Sequence, residues 1–159
     1  MPSHPRVDIA IIEAGVADAE TLATIHRDLF APPWSSDDFA ALLKQSNTLG
    51  LIATVSKSKE PVGLLIGRVA ADEAEILTLG VSRLWQRLGI AARLVETFVR
   101  RAAERGATQV FLEVAADNFA AQQLYLAEGF REVGRRPGYY QRDSAPAVDA
   151  LIMSKTTDR

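Results

Sequence analysis

The chain has 159 residues, 48% hydrophobic and 24% charged, with a formal net charge of -2. These values predict one ordinary globular domain with its own core, and they exclude a largely disordered chain and a general electrostatic grip on nucleic acid. Zero cysteines exclude disulfides, thiolate metal sites and a cysteine nucleophile.

Residues 1–6 read as a tail: Pro2 and Pro5 stand among small polar residues, without the basic-then-apolar order of a signal peptide. No window approaches the roughly 18 apolar residues of a membrane span, so a cytoplasmic protein is expected. Val7 to Ile12 reads as a first strand. Asp18 then offers a helix N-cap ahead of Leu22, Ile25 and Leu29, which share one face. His26 lies off that stripe and reads as a surface or packing residue. With only His4 besides, no histidine cluster exists to hold a metal, and none is expected. Pro32-Pro33-Trp34 breaks the helix. Ser35 with Asp38 has the spacing of a capping box opening a short helix that carries Phe39, Leu42 and Leu43.

Thr48 to Ser56 and Val62 to Ala70 are apolar runs joined by the polar Lys57-Ser58-Lys59-Glu60-Pro61, a hairpin pattern. Ala71-Asp72-Glu73 turns the chain into Glu75-Ile76-Leu77-Thr78-Leu79-Gly80-Val81, giving three consecutive antiparallel strands. Gln86-Arg87-Leu88-Gly89-Ile90-Ala91 follows, and Ile90, Leu94, Phe98 and Ala102 then recur every four residues until Gly106. Strand, glycine turn and amphipathic helix in that order make a place for a pyrophosphate, because the helix start supplies unpaired N–H groups and the positive end of a dipole. Neither GxxxxGK[ST] nor GxGxxG is present, which argues against nucleoside triphosphate and dinucleotide loops. An ordinary strand-to-helix turn closed by Gly89 is the simpler alternative. Arg87 and Arg93 are either solvated or placed to approach phosphates.

Thr108 to Val114 reads as the next strand, Phe119 to Glu128 as a helix, and Phe130 onward and Ala147 to Met153 as the last strands. Alternation puts Glu113 on one face with Phe111 and Ala115. A partly desolvated carboxylate there suits a general base, whereas a glutamate at a strand end paired with an arginine is the plain structural reading. Tyr125 reads as core packing or as a phenol able to donate a proton, and Asn118 can cap its helix.

Phe111-Leu112-Glu113-Val114, Asp117-Asn118, Leu124-Tyr125 and Gly129-Phe130 occur in the order and spacing of the GNAT acyltransferase superfamily, which the chain resembles from about residue 7 to residue 154. Pro33-Trp34-Ser35, Asn118 with Tyr125, and Gly138-Tyr139-Tyr140 before Asp149-Ala150-Leu151-Ile152-Met153 make it most similar to the RimI-type N-terminal acetyltransferases of bacterial ribosomal proteins. It departs from that pattern in Ala91, where glycine is common, and in Ser82-Arg83-Leu84-Trp85, where Asp-Pro-x-Tyr is usual. The resemblance implies an α/β, single-domain GNAT fold: a mixed, mostly antiparallel sheet flanked by helices, spanning residues 7–154, with 155–159 as a C-terminal tail. It implies acetyl-CoA as cosubstrate, with pantetheine along Leu79, Gly80 and Val81 and at Asn118, and pyrophosphate at the amides of Arg87, Leu88, Gly89, Ile90, Ala91 and Ala92. It further implies Glu113 as proton acceptor, Tyr125 as proton donor to the departing sulfur, and Trp34, Tyr139 and Tyr140 around the acceptor. The implied acceptor is a protein N-terminus, foremost that of the alanine-starting eighteenth protein of the small ribosomal subunit. Acetylation of lysine or a small amine, and a non-catalytic acyl-CoA-binding module, are the alternatives. No contact with nucleic acid or membrane is expected, and the protein is expected to be a monomer or weak dimer.

Overall fold

Each apolar run becomes the expected kind of element in a computed structural model, which describes residues 8–157. The order is β1 (Ile9–Ala14), α1 (Ala19–Leu29), α2 (Ser36–Leu43), β2 (Thr48–Val55), β3 (Pro61–Ala70), β4 (Glu73–Val81), α3 (Ile90–Glu104), β5 (Gln109–Ala115), α4 (Phe119–Ala127), β6 (Arg131–Arg142) and β7 (Ala145–Thr156). The proposed tail at residues 1–6, Val7 of the expected first strand, and Asp158 and Arg159 lie outside the described residues.

Seven strands form one sheet in the order β1-β2-β3-β4-β5-β7-β6. Among the described residues only β4 and β5 pair in parallel, and α3 makes the crossover that a parallel pair requires. Helices cover both faces. Leu22, Ile25 and Phe39 of α1 and α2 pack on Ile52, Leu64 and Ile66, while Leu94, Phe98 and Ala102 of α3 join Leu51, Leu65 and Val110 in the larger core. β2 and β3 are therefore buried on both sides and read as nearly continuous apolar runs.

The helix starts show how locally the chain is specified. Ser35 Oγ accepts from the N–H of Asp38 at 3.1 Å and Asp38 Oδ2 from that of Ser35 at 2.9 Å, a complete capping box. Asp18 occupies the N-cap of α1, but its carboxylate instead accepts from the N–H of Gly15 at 2.8 Å, closing the 3-10 turn that precedes the helix.

The expected C-terminal tail needs correction. β7 continues through Lys155 and Thr156, pairing with Val110 and Gln109. Thr157 is buried, with its N–H donating to Thr108 at 2.9 Å and its hydroxyl to the Ala107 carbonyl at 2.7 Å. The cause is the start of β5, whose backbone is paired with β4 on one side and finds its partners on the other in these residues.

Candidate active site

The parallel pairing of β4 and β5 stops at Ile76 and Leu112. A register shift in the β3–β4 ladder falls at the same level: Ile66 opposes Thr78 and Gly67 opposes Ile76, leaving Leu77 as an extra residue. Such a bulge bends its strand and increases local twist. Beyond it β4 and β5 diverge, so the peptide groups of Leu77 to Val81 on the β5 side carry no ladder partner. Two connected hollows occupy the divergence, and Leu79, Ala121 and Tyr125 line both.

The first hollow is a trough of about 400 Å³ between the end of β4, the start of α3 and α4. Leu79, Gly80, Val81, Arg87, Gly89, Ile90, Ala91 and Ala92 all line it; Leu88 does not, and is exposed. Gly89 is the N-cap of α3 with φ +82°, a left-handed conformation in which an L side chain is strained, and Arg87 also has a positive φ of +64°. A Cβ built on Gly89 meets nothing within 4 Å. The helix-start N–H groups thus border open space at the trough, where an anion fits. Ala91, the departure from the commoner glycine, is already helical and keeps its methyl on the trough wall. Arg93 is not at the site, because its guanidinium donates to the Ile9 carbonyl at 2.8 Å. Trp85 and Gln86 also line the trough, and Gln86 Nε2 donates to the Val81 carbonyl at 2.9 Å, tying the turn to the strand end.

The second hollow, about 410 Å³, lies between the diverging strands and is lined by Phe30, Thr78, Glu113, Asn118, Tyr125 and Tyr140 among others. Glu113 shares its face with half-buried Phe111 and Ala115, as alternation predicts. Its side chain is 25% exposed and its carboxylate meets Arg136 at 3.1 Å. Glu113 thus pairs with an arginine, as the plain structural reading has it, and also lines the cleft. Tyr125 is 7% exposed, edge-on to Phe130, and burial pushes its phenol up to about 12. The hydroxyl is thus a neutral donor throughout the physiological range. Asn118 caps α4 through Oδ1, which accepts from Ala121 at 3.2 Å, and it borders the cleft rather than the trough.

Strand β6 closes the far side. Gly138 donates to Asp149 at 2.9 Å, and Arg142 grips Asp117 with bonds of 2.9 and 3.3 Å, holding the Asp117 carboxyl below the ordinary carboxylate range. Tyr140 lines the cleft; burial, reinforced by the nearby Glu113 charge, raises its phenol. Tyr139 points elsewhere, half-exposed, with the Arg136 guanidinium 5.4 Å from its ring centre. Trp34 is displaced from its expected position. It packs against His26 and Phe39 behind the cleft, and Phe30 and Ala31 form the wall in its place. The proline pair lets the chain turn back before Trp34, so the residues ahead of it are the ones that reach the cleft. Phe30, Thr78, Trp85 and Arg136 are site residues that sequence reasoning missed. Arg136 had a signal in the arginines around Gly138-Tyr139-Tyr140, and Trp85 in its place in the turn.

Sheet order, bulged β4, strand divergence and glycine-started α3 together set an anion-accepting trough beside a cleft that holds a carboxylate and a phenol. The chain belongs to the acetyltransferase (GNAT) family, whose model matches residues 19–130, and it is an N-acetyltransferase of the RimI-like kind. It is 31% identical to the [ribosomal protein bS18]-alanine N-acetyltransferase of Escherichia coli K12 over 82% of this chain and 85% of that protein. It is 34% identical to the N-alpha-acetyltransferase RimI of Mycobacterium tuberculosis over 82% and 84% of the respective chains. The crystal structure of the ribosomal-protein-S18-alanine N-acetyltransferase from E. coli superposes with a TM-score of 0.86 at 28% identity, covering 96% of both chains. That of Arabidopsis thaliana NAA60 in complex with acetyl-CoA shares the fold, with a TM-score of 0.83 at 24% identity over 94% of this chain and 98% of that one. Among the described residues no cluster of three or more His, Asp or Glu could hold a metal, and no helix is long and apolar enough to cross a membrane.

Proposed function

We propose that this enzyme acetylates the N-terminal α-amine of a protein, foremost an alanine-starting ribosomal protein such as bS18, by direct attack of the amine on acetyl-CoA. The observation that carries this reading is the place of Tyr125, on the wall common to the trough and the cleft. Acetyl-CoA lies in the trough, its pyrophosphate at the N–H groups of residues 87–92 and its pantetheine along the unpaired edge of β4. The acceptor enters from the side of Phe30 and Tyr140. Glu113 takes the proton that the amine loses as its nitrogen bonds the thioester carbon. Tyr125 protonates the sulfur as the carbon–sulfur bond breaks, leaving an amide and the free thiol. No acyl-enzyme forms.

Proton chemistry supports the α-amine over a lysine. Its ordinary pKa of about 7.7–8.0, against about 10.4 for lysine, makes it far more often nucleophilic near neutrality, so one carboxylate suffices. The activities of the bS18-alanine N-acetyltransferase and N-alpha-acetyltransferase relatives support the same acceptor. The test offers two peptides in competition, one with free N-terminal alanine and no lysine, the other blocked at its N-terminus and carrying a lysine. Mass spectrometry is expected to find acetyl on the alanine; acetyl on lysine with the α-amine untouched overturns the reading in favour of a lysine or small-amine acetyltransferase.

A further inference from the structure

One side chain joins the three elements around the acceptor side of the cleft and has no part in the proton chemistry. His26 of α1 lies outside the Leu22, Ile25, Leu29 stripe, yet it is 2% exposed. Both ring nitrogens are engaged. Nδ1 accepts from the backbone N–H of Trp34 at 3.0 Å. An N–H can only donate, so Nδ1 is unprotonated, and Nε2–H is left to donate to Thr78 Oγ1, 3.1 Å away. Phe30 stacks on the ring at 4.1 Å and 19°, Trp34 at 5.2 Å and 24°, and Phe39 meets it edge-on at 5.4 Å. These partners carry no charge, and burial lowers the pKa of His26, which keeps the ring neutral as this bonding requires.

The partners are also the wall. Phe30 and Ala31, within the loop that His26 holds at Trp34, line the Glu113 cleft, and so does Thr78, next to the bulge at Leu77. A residue serving only to fill space would not need two directional bonds to two different elements. We infer that His26 is a positioning residue for the acceptor: its imidazole clamps the 30–34 loop to Thr78 of β4 and so fixes the wall against which the acceptor's first residue is held. This rests on the acceptor occupying the Glu113 cleft, and it assigns His26 no contact with either substrate.

The two arms of the clamp separate by substitution. In His26→Asn the amide oxygen falls near the position of Nδ1 and can still accept from Trp34. In His26→Gln the longer amide reaches toward Thr78 and leaves the Trp34 N–H without its acceptor. Thr78→Val removes the β4 arm alone. Steady-state kinetics with an alanine-starting peptide are expected to show a rise in acceptor KM of about tenfold or more in His26→Gln and in Thr78→Val, with a much smaller change in kcat. His26→Asn, which keeps the Trp34 arm but is too short to reach Thr78, should raise acceptor KM as Thr78→Val does. The acetyl-CoA Kd should be the same in all three variants and wild type, because the trough lies on the other side of Tyr125. Hydrogen exchange supplies a readout independent of the acceptor: the Trp34 amide should exchange slowly in wild type, His26→Asn and Thr78→Val, and fast in His26→Gln. A folded His26→Gln or Thr78→Val with wild-type acceptor KM, or a Trp34 amide that exchanges equally slowly in His26→Gln and wild type, overturns the inference. If wild type acetylates no peptide N-terminus, the acceptor reading fails, and Trp34 exchange still decides whether the clamp exists.

Discussion

Substituting Gly89 by alanine tests the placement of the cofactor, with Gly106→Ala as a matched control. Both glycines have positive φ, +82° and +100°, and a Cβ on either meets nothing within 4 Å. The folding cost in each variant is therefore the backbone strain of a left-handed L residue alone, roughly 1–2 kcal/mol. For a domain of this size that lowers the melting temperature by about 2–8 °C, since each kcal/mol is worth roughly 2–4 °C. The two positions differ in what borders them. Gly89 starts α3 on the trough, whereas Gly106 follows its far end. If the pyrophosphate sits on the α3 amides, the added methyl group disturbs at least one hydrogen bond to a charged group, worth about 1.5–3 kcal/mol. At 1.4 kcal/mol per tenfold, calorimetry with acetyl-CoA should show affinity about 10- to 100-fold weaker in Gly89→Ala. Gly106→Ala should bind as wild type does. Equal affinities in two variants of equal melting temperature would refute the placement.

Two further predictions follow from buried titratable groups. The Tyr125 phenol, with an ordinary value of 10.0 raised to about 12 by burial, contributes stability that is fully present below pH 10 and lost as pH rises from about 10 to 12. Melting curves of wild type and Tyr125→Phe should accordingly converge or cross above pH 10, and parallel curves would contradict the burial argument. His26, whose pKa burial lowers from 6.5, contributes stability fully present above pH 6.5 and lost as pH falls through its lower folded value. Denaturant titrations should show His26→Asn flattening the acid side of the stability profile, and an unchanged slope below pH 6.5 would mean that the ring is not buried in neutral form.

Long elements with unambiguous periodicity were legible in the sequence. α3 was set by the four-residue recurrence from Ile90 to Ala102, and α2 by the reciprocal Ser35 and Asp38 pair. The β4 and α3 side of the trough was legible too, because it is nearly contiguous in sequence: Leu79 to Val81 and Arg87 to Ala92 all reach it but Leu88, whereas Ala120, Ala121 and Leu124 of α4 are brought to it by the fold. The cleft was only half legible. Glu113 and Tyr125 meet there through the resemblance, but Phe30 and Thr78 are brought in by tertiary placement, the one by the turn at the prolines and the other by the β4 bulge. No local pattern reports a bulge, whose extra residue costs nothing in periodicity within an apolar strand. His26 shows the same limit. Its position off the apolar stripe predicts a bland role, and only the fold reveals Trp34 and Thr78 at its two nitrogens. The tail at 155–157 was misjudged because Lys155-Thr156-Thr157 is polar, while its order comes from backbone bonds to β5 that composition does not encode.

The central claim is that Glu113 and Tyr125 move protons for a transfer occurring where trough and cleft meet. Single-turnover acetyl transfer to an alanine-starting peptide, with both substrates saturating, tests it most directly in Glu113→Gln and Tyr125→Phe. Both variants keep side-chain shape and remove the acid–base group. The account predicts a transfer rate about 10²-fold or more below wild type in each, with acetyl-CoA affinity unchanged and no thiol released when the peptide is withheld. Wild-type rates in both variants across the pH range would contradict it and leave the two residues as packing.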